Sequence, residues 1–334
     1  VDDMEDYDQL LRCLGFFTHK YGKIDRLDSL NEYWLDYEAR LRTDFNIFGI
    51  KTDSIHEIKR KSKMKEVFRD AGIPVAEGKV IDNLKEAKRF AEKVGYPIVA
   101  KPDKGVGALN TYKIHDYDEL KNFFDNPPQR DYIFEEFISG DIYSFDGLTN
   151  RDGDVVFYTA HIYQAGIMET VNDDSHIYYY SLRDLPEDLE ETGLKSIKAF
   201  DARERFFHLE FFRTHTDNKL VALEINMRPP GGYTTDMFNF ANDIDIYQEW
   251  ANVIVHNEFR SEYNRDYHCG YIGRKFNQHY IHTHDEILHT FHQYLVHHAP
   301  ISGVFSSALG HYGYLARTKD EKTMHEIISF IQKT

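Results

Sequence analysis

Two consecutive segments, RFFHLEFFR at residues 205–213 and KLVALEIN at residues 219–226, carry the strongest structural signal in the chain. Apolar residues dominate both segments, which predicts two β-strands joined by a short hairpin loop. Glu224 and Asn226 stand two apart on the second strand and therefore project from the same face. Glu210 can lie opposite them if the loop sets that register. Three oxygen donors on one face suit Mg²⁺, and the alternative is the exposed face of an amphipathic hairpin.

The residues around this hairpin favour a site for a phosphorylated group. Arg228 follows the second strand, and a Pro-Pro-Gly-Gly turn occupies residues 229–232. An arginine at the end of a strand with metal ligands can bind phosphoryl oxygens. His208 lies beside the predicted ligands, where a packed histidine is more common than a catalyst.

Upstream, a lysine and a glycine loop follow a predicted buried strand. The segment PIVAK ends at Lys101, and DKGVG follows at residues 103–107. Glycines allow backbone N–H groups to approach phosphates, and lysine supplies a compensating charge. Lys104, Gly105 and Gly107 are thus candidate phosphate contacts, although such loops also form simple turns. The spacing fits neither GxGxxG nor GxxxxGK[ST], which excludes the Rossmann and P-loop patterns.

Two further segments have weaker patterns. Lys61 lies in a basic cluster on a predicted helix, and in isolation such a cluster is typical of a solvent-exposed face. The segment FEEFISG at residues 134–140 predicts a strand that runs into a loop. Its backbone could hydrogen-bond a purine edge with Phe134, Phe137 and Ile138 as apolar walls, and a core strand is the alternative. The basic cluster comprises Lys59, Arg60, Lys61, Lys63 and Lys65.

Length and composition narrow the class of protein. The 334 residues suggest about two domains at ~150 residues each. The formal net charge of −16 argues against a nucleic-acid or acidic-membrane partner. No stretch approaches the ~18 apolar residues of a membrane span, and the start lacks a signal-peptide pattern. Two cysteines, Cys13 and Cys269, exclude a disulfide framework, and the predicted location is cytoplasmic.

Periodicity and turn residues predict an α+β chain, with strands and helices alternating early and antiparallel hairpins dominating later. Ser54 and Glu57 would open one helix as a capping box, and Asn83 and Gly95 would bound another. Helices are predicted at residues 8–21, 31–42, 54–71, 84–94 and 287–296, and strands at residues 75–81, 97–101 and 110–114.

The order of these segments resembles the ATP-grasp superfamily, the carboxylate–amine and carboxylate–thiol ligases, over residues 54–255. In that family a first lysine lies before a glycine-hydrophobic-proline motif, as Lys61 does before AGIP. A second lysine ends a buried strand, as Lys101 does in YPIVAKP. The nucleotide contacts that the resemblance implies are Lys61, Lys101, Lys104, Gly105, Gly107, the hinge residues Glu135, Glu136 and Ile138, and Asp141.

The resemblance also implies roles for the hairpin residues. Arg228 would neutralise an acyl-phosphate, and His208 matches a cationic position near the transferred phosphate. The family commonly carries a ribose-binding glutamate where this chain has Ile142, so Asp141 or Asp146 would substitute. The ligands of Mg²⁺, with Mn²⁺ as an alternative, would be Glu210, Glu224 and Asn226.

The fold implied is an ATP-grasp fold, two α+β subdomains that grip ATP, after a partial α/β domain. Because residues 1–50 supply only helices and a short strand, the chain is expected to be part of a longer protein. The implied domains are a partial pre-ATP-grasp domain at 1–60, a small subdomain at 61–137, a large subdomain at 138–257 and a C-terminal α+β element at 258–334.

The function implied is an ATP- and Mg²⁺-dependent carboxylate–amine ligase that works through an acyl-phosphate. The motifs most resemble those of L-amino-acid ligases and carbamoyl-phosphate-synthase-like proteins, which implies amino-acid or peptide-type substrates. Expected partners are a small carboxylate and an amine, with a homodimer as the assembly. The alternatives are an ATP-binding module without ligase activity and a carboxylate–thiol or carbamoyl-phosphate-type ligase.

Overall fold

The structure, a computed structural model, describes residues 1–105, 110–126, 128–164, 176–303 and 305–334. Within these ranges the chain forms helices and two antiparallel sheets, which confirms the predicted α+β class. The helices are α1 (Tyr7–Tyr21), a 3-10 turn (Glu32–Trp34), α2 (Leu35–Asp44), α3 (Ile55–Lys59), α4 (Lys61–Asp70), α5 (Leu84–Val94), α6 (Tyr117–Asp125), α7 (Glu187–Ala199), α8 (Thr234–Asn242), α9 (Ile246–His256), α10 (His284–Phe291), α11 (Ser306–Leu309) and α12 (Glu321–Ile331). The strands are β1 (Gly78–Val80), β2 (Ile98–Pro102), β3 (Tyr112–Ile114), β4 (Tyr132–Glu136), β5 (Gly140–Thr149), β6 (Val155–Tyr163), β7 (Tyr178–Ser181), β8 (Arg205–Thr214), β9 (Leu220–Asn226), β10 (His268–Arg274), β11 (Leu295–Pro300) and β12 (Tyr312–Thr318).

The two sheets differ in size. The smaller one has the strand order β1-β4-β2-β3, and the larger one has the order β11-β12-β10-β7-β6-β5-β8-β9. The carboxyl-terminal strands β10 to β12 pair into the larger sheet beside β7 and so extend it. At its other edge, β9 contacts the segment before β1 through a bridge between Val75 and Ala222.

Helices α5 and α6 cover one face of the smaller sheet. The Asn83 side chain accepts a hydrogen bond from the Glu86 N–H, and Gly95 ends α5 with φ of 84°, as predicted. Phe134 is fully buried in the core beneath these helices. Because side chains alternate along β4, Glu135 points to the opposite face. Phe134 is therefore not a wall of a ligand site, which corrects that expectation.

The continuous helix predicted at residues 54–71 is wrong, because α3 and α4 are separated at Arg60. The Arg60 backbone is extended, with φ −107° and ψ 118°. Its guanidinium contacts Asp103 at 3.1 Å and Asp131 at 3.2 Å, and these ion pairs hold the break. Ser54 makes no capping hydrogen bond, so the predicted capping box is also wrong. The partners lie 43 and 71 residues away, beyond any local pattern.

Two other segments differ from their predictions. Residues 1–60 are all described and contain helices without a strand, so the short strand expected there is not formed. The helix predicted at residues 287–296 ends at Phe291, because Leu295–Pro300 pairs with β12 as a strand. Among the helices of the described ranges, none is long and apolar enough to cross a membrane.

Candidate active site

A cavity of about 380 Å³ lies between the smaller and the larger sheet. Helix α4 and strands β2 and β4 supply side chains from one side, and β5, β8 and β9 supply them from the other. Its volume is within the ~300–1,000 Å³ that is typical of small-molecule sites. The predicted site residues that line it are Lys61, Lys101, Glu135, Glu136, Ile138, Asp141, Glu210 and Glu224.

The β8–β9 hairpin brings the predicted metal ligands together. Glu210 pairs directly with Glu224 across the two strands, and His208 pairs with Asn226. The Asn226 amide donates a hydrogen bond to Oε1 of Glu224 at 3.2 Å. The loop thus sets the register that puts Glu210 opposite Glu224, and the oxygen donors share one face.

A β-bulge in β9 adds a cavity residue that sequence reasoning missed. Glu210 pairs with Glu224 and Phe211 pairs with Ala222, which leaves Leu223 as the extra residue. A bulge re-aims a side chain, and Leu223 lines the cavity beside Glu224. Strict alternation would place Leu223 on the opposite face, so no local signal could have found it.

Lys61 stands at the start of α4 and is buried against the larger sheet. Its Nζ lies 3.7 Å from Oε2 of Glu224 and 3.4 Å from the carbonyl oxygen of Gly105. Asp103 holds the start of this helix, since its carboxylate accepts a hydrogen bond from the Ser62 N–H at 2.8 Å. Burial would raise the pKa of Glu224, but the neighbouring lysine charges, Lys61 foremost, lower it.

Lys65, Glu135 and Lys101 form a buried row of charges beside the cavity. Oε2 of Glu135 lies 2.8 Å from Nζ of Lys101, and its Oε1 lies 2.9 Å from Nζ of Lys65. Burial would raise the pKa of Glu135, but the two lysines lower it to about 2. Burial lowers the pKa of Lys65, whereas Glu135 and Glu224 raise the pKa of Lys101 despite its burial.

The basic cluster of the sequence thus has a buried and an exposed side. Lys59, Lys61 and Lys65 are buried, while the side chain of Lys63 is 43% exposed. The solvent-exposed interpretation therefore applies to Lys63 and not to Lys61. Sequence reasoning missed Lys65 as a cavity residue, although its spacing of four from Lys61 puts both on one helix face.

We expect Glu135→Gln to lower the free energy of unfolding by about 3 kcal/mol, because it leaves two buried lysine charges without their shared carboxylate. Urea denaturation at pH 7 measures this loss. The pKa of Glu135 drops from an ordinary 4.5 to about 2 in the folded chain. The difference in the free energy of unfolding between the variant and wild type should therefore shrink as the pH falls through that interval.

The control is Glu66→Gln, which removes an exposed pair with Lys63 and should cost less than about 1 kcal/mol. An equal loss in both variants contradicts the prediction.

His208 is held between two carboxylates. Its Nδ1 hydrogen-bonds to Asp146, and its Nε2 lies 2.9 Å from Oε1 of Glu210. An ionised carboxylate only accepts hydrogen bonds, so both ring nitrogens donate and the ring is charged. Burial would lower the pKa of His208, but Asp146 and Glu210 raise it to about 10. Asp146 itself is fully buried, which corrects the expectation that it could replace the ribose-binding glutamate missing at Ile142.

The hinge segment lines the cavity some distance from the paired glutamates. Asp141 is three residues before the β5 partner of Glu210, about 10 Å along the strand. The Glu136 N–H donates to the Glu77 carbonyl at 3.0 Å, and the Glu136 carboxylate accepts from the Glu77 N–H at 2.8 Å. Oδ1 of Asp141 lies 3.1 Å from Nε2 of His215, a cavity residue that sequence reasoning missed.

The other predicted residues do not line the cavity or lie outside the described ranges. Nζ of Lys104 lies 2.9 Å from Asp36, so this side chain is turned away from the cavity. Arg228 donates from Nη1 to the carbonyl of the next residue at 2.9 Å. Burial raises the pKa of Glu32, and the positive charges of Lys59 and Arg228 offset part of that rise. Gly107 falls outside the described residues.

The donor set of this site fits a magnesium–nucleotide complex. In the part of the chain that the structure describes, no three His, Cys, Asp or Glu side chains converge in a metal-binding arrangement. A cation here would therefore take two carboxylates, Glu210 and Glu224, and the amide of Asn226. Mg²⁺ in nucleotide sites typically takes one or two carboxylates and completes its shell with phosphates and water. The buried ammonium groups of Lys61 and Lys101 supply the positive charge that phosphates need.

Comparisons with known proteins agree with this geometry. Residues 94–237 match the family model of an ATP-grasp domain. The chain is 25% identical over 273 residues to an L-arginine-specific L-amino acid ligase of Bacillus subtilis, covering 77% of this chain and 64% of that protein. It is 24% identical over 194 residues to the C-terminal section of the carbamoyl phosphate synthase large chain of Methanopyrus kandleri, covering 54% of this chain and 35% of that protein.

A solved structure is similar over nearly the whole chain. The L-amino acid ligase from Bacillus licheniformis matches with a TM-score of 0.76 at 16% identity, covering 97% of this chain and 82% of that chain. The chain spans less than two thirds of the length of the two curated relatives above. The family match and the structural match together confirm the ATP-grasp fold that the motif order predicted.

Proposed function

We propose that this chain, whose residues 94–237 match the model of an ATP-grasp domain, is the ATP-using part of a carboxylate–amine ligase for amino-acid or peptide-type substrates. In the proposed reaction a substrate carboxylate attacks the γ-phosphate of ATP, and an amine then displaces phosphate from the acyl-phosphate. The products are ADP, phosphate and a new C–N bond. One observation carries the proposal: two buried lysines and two cross-strand carboxylates converge on one cavity, namely Lys61, Lys101, Glu210 and Glu224.

The two lysines are proposed to bind the phosphates. Glu135 holds Lys101 at 2.8 Å, and the Gly105 carbonyl lies 3.4 Å from Nζ of Lys61. Because these contacts fix both ammonium groups, the charges are preorganised, which is the main way a protein stabilises phosphoryl transfer. The backbone of Gly105 and Gly107 is proposed to complete the phosphate site.

The hinge is proposed to bind the nucleoside. Glu136 and Ile138 would meet the base through the backbone, and the cavity side of Leu223 is an apolar wall for it. Asp141, whose carboxylate contacts His215, would accept hydrogen bonds from the ribose hydroxyls. It would thus replace the glutamate that the family commonly carries at the position of Ile142.

The metal face is proposed to hold Mg²⁺, with Mn²⁺ as the alternative, through Glu210, Glu224 and Asn226. When bound, the ion would neutralise charge on the β- and γ-phosphate oxygens. Arg228 is proposed to bind the acyl-phosphate, since a guanidinium contacts phosphoryl oxygens with two parallel N–H groups.

A carbamoyl-phosphate-type ligase is the second candidate, and the similarity to a carbamoyl phosphate synthase large chain favours it. That reaction would use the same ATP site and differ in the acid that is phosphorylated. A carboxylate–thiol ligase and an ATP-binding module without turnover are the other outcomes that the experiment below separates.

The test is a substrate screen with the purified chain, ATP and Mg²⁺. Pairs of amino acids, then bicarbonate with amines, then acids with thiols are scored for ADP release, and the product is identified by mass. Release that needs both an amino acid and an amine supports the proposal. Release with bicarbonate supports the second candidate, and nucleotide binding without any release supports the module.

We expect saturating Mg·ATP to raise the melting temperature by several degrees. A ligand at about 100 times its Kd, bound to the folded state alone, stabilises that state by about 2.7 kcal/mol. Differential scanning fluorimetry measures the shift. Lys101→Met should abolish most of it, whereas Lys63→Met, on the exposed side of α4, should keep it. A folded wild-type chain whose melting curve Mg·ATP leaves unmoved contradicts the nucleotide site.

The proposal also covers the cellular location, the partners and the assembly of the protein. We propose a cytoplasmic location because the reaction consumes ATP, and small molecules rather than nucleic acid or membrane as partners because the net charge is −16. A homodimer is proposed as the assembly, and sedimentation velocity tests it. The domain boundaries near residues 60, 137 and 257 stay predictions.

A further inference from the structure

A fully buried polar network lies behind Glu210 and has no part in the roles assigned above. Asp146, on β5, lies directly opposite His208 on β8 and is 0% exposed. Its Oδ1 contacts His208, and its Oδ2 lies 2.8 Å from Nδ1 of His161 and 2.5 Å from Oγ of Ser144. The carboxylate is thus saturated by groups of β5, β6 and β8, and it cannot itself reach a ligand.

Burying such a charge is expensive unless the fold pairs it closely. An ionised carboxylate taken out of water costs several kcal/mol, and a well-packed apolar replacement is often neutral or stabilising. Stability alone therefore gives a weak reason for Asp146 in this core. A functional reason for Asp146 is stronger, because the network ends at Glu210, whose carboxylate lines the cavity.

The path from Asp146 to the cavity has two hydrogen bonds. Asp146 orients the ring of His208 through Nδ1, and the opposite nitrogen, Nε2, lies 2.9 Å from Oε1 of Glu210. A planar ring fixed at one nitrogen can place the other nitrogen in one position only. Oε1 of Glu210 is thereby held, and Oε2 is the oxygen that His208 does not engage.

We propose that Asp146 is a positioning residue which, through His208, fixes the Glu210 carboxylate so that a cation binds it through one oxygen. This inference rests on the proposed magnesium–nucleotide site and adds to it the residues that orient one ligand. Carboxylate ligands are commonly held by such outer partners, whose removal typically weakens metal affinity ~10–100-fold. It also gives His208 a different role from that of a phosphate contact, since both of its nitrogens are engaged.

The first test is Asp146→Asn, compared with wild type in Mn²⁺ binding. Free Mn²⁺ is measured by electron paramagnetic resonance in the presence of saturating ADP, and metal-free ADP affinity is measured by calorimetry. We expect Mn²⁺ affinity to fall ~10–100-fold and metal-free ADP affinity to stay within about twofold. The control Asp217→Asn removes an exposed carboxylate paired with Lys219 and should leave both affinities at wild-type values. Unchanged Mn²⁺ affinity in a folded Asp146→Asn variant overturns the proposal.

A second pair of variants keeps the proposal testable if Asp146→Asn does not fold. The amide of His208→Gln can replace Nε2 and still donate to Glu210, whereas that of His208→Asn can replace only Nδ1. We expect His208→Gln to retain several-fold more Mn²⁺ affinity than His208→Asn. Equal Mn²⁺ affinities in the two variants overturn the proposal, because a purely structural role of His208 would not distinguish its two nitrogens.

The outcomes also separate this inference from the proposed function. A wild-type chain that binds no Mn²⁺ with ADP rejects the metal site itself. A wild-type chain that binds Mn²⁺, with variants that bind it equally well, rejects only the role of Asp146. Once a substrate pair is known, excess metal should restore the kcat of Asp146→Asn, which a general folding defect would not allow.

Discussion

Glu224→Gln is expected to reduce metal-dependent ATP turnover by roughly 10²–10³-fold, the scale of several kcal/mol of lost charge stabilisation. Glu224 faces Glu210 across the hairpin, accepts a hydrogen bond from Asn226 and lies 3.7 Å from Nζ of Lys61. Glutamine keeps the size of the side chain and one oxygen but removes the charge. The strand itself should persist, because its pairing with β8 is through the backbone.

Turnover is measured with the substrate pair found in the screen, at several Mg²⁺ concentrations. The matched control is Glu258→Gln, since Glu258 makes an exposed pair with Arg260 at 3.1 Å and does not line the cavity. Thermal melting of both variants separates a folding defect from a lost ligand. Near wild-type turnover in Glu224→Gln would reject Glu224 as a metal ligand.

Arg228→Ala is expected to keep Mg·ATP affinity within a few-fold and to cut ligation by roughly 10²-fold or more, the effect of removing one preorganised electrostatic donor. Arg228 follows Asn226 by two residues, after the last residue of β9. In the transition state, negative charge is shared between the phosphate and the substrate carboxylate. The charge of Arg228 should matter most at that point, so its contact stabilises the transition state more than the ground state. Arg228→Lys should restore only part of the rate, because lysine lacks the planar fork.

The two readouts are nucleotide affinity by calorimetry and product formation by mass. Arg203→Ala is the control, because Arg203 pairs with Asp201 on the surface and its side chain is 46% exposed. Normal ligation in Arg228→Ala would reject the proposed role. Loss of ATP binding would make Arg228 a nucleotide-binding or structural residue instead.

Local features of the fold could be predicted from the sequence, as the ends of α5 at Asn83 and Gly95 and the hairpin carboxylates show. The cap and the end of α5 form as expected because their hydrogen bonds join residues within one turn of each other. Glu224 and Asn226 share a face because strand geometry alternates every two residues. These features depend on neighbours along the chain. The fold and eight of the residues that line the cavity were implied by the family resemblance that the motif order carries.

The break at Arg60, the bulge at Leu223, the burial of Lys65 and the network of Asp146 with His208 were decided by the tertiary structure. Arg60 is held by carboxylates 43 and 71 residues away, and Asp146 meets His208 across 62 residues. Apart from the bulge, each depends on the free energy of a charge that the fold buries or pairs, and that free energy is undefined until distant segments have come together. Spacing thus determined which chemistry the chain can carry, and packing determined which side chains are oriented to carry it.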